Sequence, residues 1–328
     1  MSYSCKILLD SISETGKRLT TFEITFPRIV LAEFNTHRMF SRNSASSRAI
    51  PFKKQVEKIQ AEPFIPEQFP VNCTGMQPQE YITEENGKED GAYYDCVNWW
   101  LAARDSAIEI AENLSESWAI HKQICNRLLE PFQWHTVIVT ATEFSNFFKL
   151  RCDENAQYEI RRIADLMYEA YHTADPYLGM FSNIKGMNAL HNPVSIQKLK
   201  VGEWHCPLVY EEDKMPILAW ISQNDHTKGK ASNVIIDQIY NNVKKKVSVA
   251  RCARVSYLQH SGERSIEKDL ELFNRLIGSG HWSPTEHIAT PLEDPNQQSG
   301  NFYGWLQYRK TFKDENCTYF RKHIQNNE

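Results

Sequence analysis

The chain predicts an α/β or α+β protein with few strands and several helices. Three observations carry this reading. Residues 19–26, LTTFEITF, alternate and are rich in β-branched and aromatic side chains, the pattern of a strand. Over 93–118, Trp99, Leu101, Ala102, Ile108, Ile110, Ala111 and Leu114 recur at about 3.6 residues, the pattern of a long helix. The 328 residues are 41% hydrophobic and 12% aromatic with only 13 Gly and 14 Pro, which excludes a disordered or collagen-like chain and allows a sizeable core.

The elements follow in order. Residues 6–9 are a short apolar run, and 19–26 form the first clear strand. Pro27 opens RIVLAEFNTHR, whose Ile29, Val30, Ala32 and Phe34 suit a helix with proline at its start. SRNSASSRAIP, 41–51, reads as a loop rich in hydrogen-bond donors. Prolines 63, 66, 70 and 78 and the run EENGKED make 62–90 an irregular excursion outside the core. After the long helix come a helix at 121–129, a strand at 134–142 and one or two helices over 144–167. Residues 176–246 read as loop-rich. VSVARCARVSY (247–257), a helix at 266–277 and the loop GSGHWSPTEH (278–287) complete the pattern.

A net charge of −4 argues against a nucleic-acid coat, yet allows a local basic pocket for a small anion. No apolar stretch approaches the ~20 residues of a membrane span. Lys6 and Asp10 fall where an export signal needs an apolar core. The eight cysteines are scattered without a CxxC pair, the profile of reduced thiols rather than disulfides or a metal site. These features predict a cytoplasmic protein with no membrane or nucleic-acid partner.

Three clusters could carry chemistry. THRMFSRNSASSR, 36–48, combines His37, Arg38, Arg42 and Arg48 with Ser41, Asn43, Ser44, Ser46 and Ser47. Guanidinium forks and hydroxyls of this kind suit phosphate, although a solvated polar loop has the same composition. In FFKLRCDENAQYE, 147–159, Arg151 follows an apolar face that could deliver its head to a cleft; pairing with Asp153 or Glu154 is the plainer alternative. GHWSPTEHIATP, 280–291, carries His281, Glu286 and His287 without the HExxH spacing of zinc. The tripeptide His205-Cys206-Pro207 invites a Cys–His nucleophile, but Cys206 has no further partner and suits a structural thiol.

Together the clusters resemble the flavin-dependent thymidylate synthase family, whose signature is R-H-R-x7-S: Thr36-His37-Arg38 is followed, after seven residues, by Ser46. ITFPRIVLAEFNTHRMFSRNSASSR, NRLLEPFQWHT and VTATEFSNFFKLRCDENAQYEI are similar to its strand, signature loop and nucleotide-binding helix. VARCARVSY and DLELFNRLIGSGHWSPTEH resemble the segment that opens the family but lie here near the C-terminus, which implies circular permutation.

The resemblance implies a thymidylate synthase-complementing-type fold, helices on a small mixed or antiparallel sheet. It implies one catalytic domain: 1–175 as the signature and nucleotide-binding half, 176–246 as connector, and 247–328 as the permuted flavin-binding segment. Ser46, Ser47, Arg48 and Arg127 would hold a deoxynucleotide, with Glu33 and Ser44 beside them. Arg151 would meet the pyrimidine edge and act in catalysis. Thr36, His37, Arg38, Asn43, Asn146, Ser256, His281, Ser283 and Glu286 would line FAD. The implied reaction converts dUMP to dTMP with methylenetetrahydrofolate and NADPH, in a homotetramer or a dimer. Departures bear on this. Thr36 replaces the signature's first Arg, Ser44 a Glu, Thr142 the Arg of an N-A-R element, and Glu33 an upstream Gln. Glu33 could accept from a cytosine amino group, so dCMP or a hydroxymethyl product is a second reading; a nucleotide-binding protein without flavin is a third.

Overall fold

The computed structural model describes residues 2–44, 46, 50–75, 77–87, 91–173, 196–224, 233–254 and 264–315. Strands β1 (Ser4–Ser13) and β2 (Arg18–Pro27) form an antiparallel hairpin, with a register shift between Ile7 and Leu9. The segment after Pro27 divides into a 3-10 turn, Arg28–Val30, and a four-residue helix α1, Leu31–Phe34. The longer helix read from sequence stops at Asn35, whose amide still reaches the Leu31 carbonyl.

The next difference matters more for the site. Ser41–Ser44 is strand β3, not loop, and pairs with a later strand from Ser41 opposite Thr140 to Ser44 opposite Val137. Backbone groups pair irrespective of side-chain polarity, and the apolar partner strand would otherwise leave its outer N–H and C=O groups unpaired. A short polar edge strand solves this.

Helix α2 (Phe52–Ala61) leads into a hairpin of β4 (Gln68–Pro70) and β5 (Tyr81–Thr83). This excursion is not wholly outside the core. Phe64 is fully buried, and its carbonyl accepts from Trp100 Nε1 at 2.8 Å. Helices α3 (Ala92–Glu116) and α4 (Lys122–Leu128) precede β6 (Trp134–Ala141). Helices α5 (Ser145–Arg151) and α6 (Tyr158–Thr173) follow. Strand β7 (Gln197–Leu199) runs parallel to β1 and completes a five-stranded sheet of order β3-β6-β2-β1-β7.

One face of the sheet, with Phe22, Ile24, Phe26, Val137 and Val139, packs on Phe147, Ile160, Ile163 and Met167 of α5 and α6. The other face is covered by the C-terminal half. Helices α7 (Lys214–Asn224), α8 (Asn233–Ala253) and α9 (Ile266–Gly278) hold Ile217, Val243, Val247 and Leu270 in a second core. The reading of 176–246 as loop-rich thus gives way to two helices. The run Lys244-Lys245-Lys246 hides the α8 pattern, although Val243, Val247 and Ala250 on either side are buried. Buried Arg251 pins α8 by pairing with Asp213 at 2.6 Å and Asp269 at 2.9 Å.

Past α9, a 3-10 turn (Ser283–His287) leads to four short strands: β8 (Ala289–Pro291), β9 (Gln298–Ser299), β10 (Phe302–Tyr303) and β11 (Trp305–Gln307). They form two pairs, β8 with β11 and β9 with β10. No helix among the described residues is long and apolar enough to cross a membrane.

Candidate functional site

The site assembles where α1, β3, the end of α5 and the turn Ser283–His287 come together. Helix α5 buries Phe147 and Phe148, and this places Arg151 in its last turn with the head partly exposed. Arg151 Nε donates to His37 Nε2 at 3.0 Å. A guanidinium carries no acceptor, so Nε2 is the lone-pair nitrogen and the imidazole is neutral. The ring sits edge-on to Phe147 at 4.9 Å and stacks on Phe40 at 5.9 Å. Burial, then Arg151 and Arg42, pull His37 down to about 4. The plainer pairing of Arg151 with Asp153 or Glu154 does not occur: its carboxylate neighbour is Glu33, at 3.9 Å. Glu33 Oε2 is buried and has no hydrogen-bond partner.

On the edge strand, Asn43 stands opposite Ile138, and its Oδ1 is also buried without a partner. Arg42 reaches the Phe34 carbonyl at 3.3 Å. Thr36, Arg38, Ser44 and Ser46 are exposed, and the Thr36 hydroxyl donates to the Glu33 carbonyl at 2.7 Å. Ser47, Arg48 and Ser256 lie outside the described residues.

The turn Ser283–His287 packs against β3. His281 and Ser283 are exposed, as is Asn146 in the first turn of α5. Glu286 pairs with Arg309 at 2.5 Å. The indole Nε1 of Trp282 is buried and unpartnered. Arg127 pairs with Glu130 at 3.6 Å and lines a cavity of about 470 Å³ with Arg28, Ala32, Asn35 and Glu130. That cavity borders α1, the helix that also carries Glu33, through Leu31, Ala32 and Asn35.

Sequence reasoning missed a buried polar chain behind the site. Ser11 Oγ bonds His205 Nδ1 at 2.8 Å, and His205 Nε2 bonds Thr21 Oγ1 at 2.8 Å. Thr21 continues to Thr140 at 2.7 Å, and Thr140 to His287 Nδ1 at 2.8 Å. This occupies His205, while burial pushes the adjacent Cys206 thiol up to about 11, so the pair is no nucleophile. The available signal was the alternation of Thr21, Glu23 and Thr25 with Phe22, Ile24 and Phe26 in β2, which turns Thr21 away from the phenylalanine side. Thr142, which stands for the Arg of the N-A-R element, also finds a use: its Oγ1 accepts from the Tyr303 amide at 3.2 Å.

Residues 17–177, β2 through α6, match the model of the family described as thymidylate synthase complementing protein. Similar solved structures include PolB, a UMP/dUMP methylase from Streptomyces cacaoi bound with 5-Br UMP. It is 16% identical over 55% of this chain and 92% of its own, with a TM-score of 0.44. The flavin-dependent thymidylate synthase ThyX from Helicobacter pylori, complexed with FAD and dUMP, is 19% identical over 49% of this chain and 71% of its own, with a TM-score of 0.32. No curated protein matches the sequence. Residues 17–177, just under half of the chain, thus carry the match to the thymidylate synthase complementing protein family.

Proposed function

We propose that this protein transfers a one-carbon unit to C5 of a deoxypyrimidine monophosphate, with FAD as cofactor and methylenetetrahydrofolate and NADPH as co-substrates. The family's plain reaction is dUMP to dTMP. The observation that carries the reading is the guanidinium of Arg151, held by neutral His37 within the segment that matches the family.

The residues present fit a flavin. The buried, unpartnered Asn43 Oδ1 and Trp282 Nε1 offer one acceptor and one donor on the two segments that meet at β3. Arg38, Asn146, His281, Ser283 and Glu286 would hold the rest of the cofactor, which supplies the methylene and hydride chemistry. The chain's own part is positional and electrostatic. Arg151 presents donors to the N3/O2 edge of the pyrimidine and draws negative charge there, which makes C5 electron-rich without a thiol adduct. His37 fixes the plane of that fork. Cys152, next in sequence, is pushed up to about 12 by burial and Asp165, which removes it as a thiolate.

The packing of Ser283–His287 on β3 supports the view that 247–328 carry the family's leading segment in permuted order within one catalytic domain. In a homo-oligomer with sites shared between chains, Arg127 of one chain would complete the site that holds Arg151 of another. The test is direct. The purified protein is expected to be yellow with flavin absorbance and to form a C5-modified product from a deoxypyrimidine monophosphate when supplied with methylenetetrahydrofolate and NADPH. Colourless protein that takes up no added flavin would overturn the proposal.

A further inference from the structure

The cluster beside Arg151 contains a group with an unmet need. The Glu33 side chain is 42% exposed, but its Oε2 is buried, accepts no hydrogen bond, and lies 3.9 Å from Arg151 Nη1. A carboxylate oxygen deprived of water and left without a donor is costly unless something supplies one. Arg151 commits Nε to His37, so its remaining N–H groups and the Glu33 oxygen stand side by side as donor and acceptor.

From this pair, and resting on the pyrimidine-nucleotide reading above, we infer that the site selects a cytosine-type base, dCMP, over dUMP. Cytosine offers a 4-amino donor next to the N3 and O2 acceptors, which complements a carboxylate beside a guanidinium. Uracil offers O4, which faces the carboxylate oxygen as acceptor against acceptor. Uracil can instead give N3–H to Glu33. Loss of that proton, which makes its C5 electron-rich, then sets a ring anion against the carboxylate. With cytosine no such conflict arises. Arg151 draws charge at N3 and O2, while Glu33 polarises the amino group toward the ring.

The test is calorimetric binding of dCMP and dUMP to the flavin-loaded protein and to Glu33→Gln, with circular dichroism and melting to verify that the variant is folded. The wild-type protein is expected to bind dCMP at least about tenfold more tightly than dUMP, and Glu33→Gln to lose or reverse that preference. A third arm needs no variant: a deoxynucleotide monophosphate of 2-pyrimidinone, which lacks the 4-amino group, is expected to lose the dCMP advantage on the wild-type protein. Wild-type binding of dUMP as tightly as dCMP, or a preference unchanged in Glu33→Gln, overturns the inference and leaves the pyrimidine-nucleotide reading standing. Failure of the wild-type protein to bind either nucleotide overturns both.

Discussion

Arg151 Nε and His37 Nε2 meet at 3.0 Å and join the last turn of α5 to the loop that follows α1. The hydrogen bond requires the imidazole to be neutral. The phenylalanine cage around His37, together with Arg42 and Arg151 itself, keeps it so well below neutral pH. Two residues distant in sequence thereby fix the direction of a single planar group.

Arg151→Lys keeps the charge but loses the fork and the bond to His37. Turnover is expected to fall by on the order of 10²-fold, the scale for removing an oriented charge-stabilising donor. Thermal stability is expected to fall little, by about 1 kcal/mol, for the acceptor left unpaired. Wild-type turnover in this variant would remove Arg151 from the chemistry.

Acid should destabilise the fold through its histidines. His37 is lowered to about 4, and His135, His205 and His287 each to about 3, burial being the largest cause throughout. Below the ordinary value of 6.5 the unfolded chain binds protons that the folded chain refuses, so stability is complete above 6.5 and is lost as pH falls. Each such histidine contributes a slope of up to about 1.4 kcal/mol per pH unit. Denaturation from pH 7 down to about 5 is expected to show this trend, and His287→Gln to flatten it by one histidine's share whatever its effect at pH 7. An unchanged slope would mean that folding does not lower the proton affinity of His287.

What could be read locally was read well. Phe147 and Phe148 preceding Arg151 define a buried helix face, and that alone aims the guanidinium outward. The β3 strand was illegible because Ser-Arg-Asn-Ser carries no strand pattern of its own; β6 imposes it through the backbone. Long-range polar contacts were equally hidden. Ser41 meets Asn301, 260 positions away, and Thr140 meets His287, 147 away, through hydroxyls and amides that leave no periodic trace.

Arg127 lines the cavity beside Arg28 and Glu130, and Arg151 pairs with His37 and Glu33; a site shared between chains would unite the two arginines across an interface. Arg127→Ala and Arg151→Ala are each expected to be nearly inactive. Mixing the two after dissociation and reassembly should restore about a quarter of wild-type activity, since random pairing of chains gives that share of intact sites. No recovery would place both arginines in one site or remove Arg127 from it.

Cys206 is buried, and its thiol is pushed up to about 11. Cys206→Ala is therefore expected to leave turnover within about twofold of wild type, because no thiolate is available to act as nucleophile. An inactive but folded variant would restore a thiol mechanism.

The last expectation concerns the C-terminal strands, which hold the signature strand in place. Asn301 Nδ2 donates to the Met39 carbonyl at 3.1 Å, and the Ser41 hydroxyl donates to Asn301 Oδ1 at 3.1 Å. Gln307 Nε2 bonds both Ser41 Oγ, at 3.0 Å, and Asn301 Oδ1, at 2.7 Å. Gly300 makes this knot possible. Its φ of +62° lies in the left-handed region, and an added Cβ would come within 2.1 Å of Gln307 Oε1. Gly300→Ala must therefore strain the backbone and displace the Gln307 amide together. The main core, formed by β1, β2, β6, α5 and α6, does not involve either residue. The variant is accordingly expected to melt only a few degrees lower. Amide exchange at Ser41 to Ser44 should rise by an order of magnitude or more, because a short edge strand opens locally once its outer contacts go. Turnover should fall with it, since Asn43 on that strand and His37 just before it lose their fixed positions. Unchanged exchange at β3 in a folded Gly300→Ala protein would show that β6 alone holds the strand.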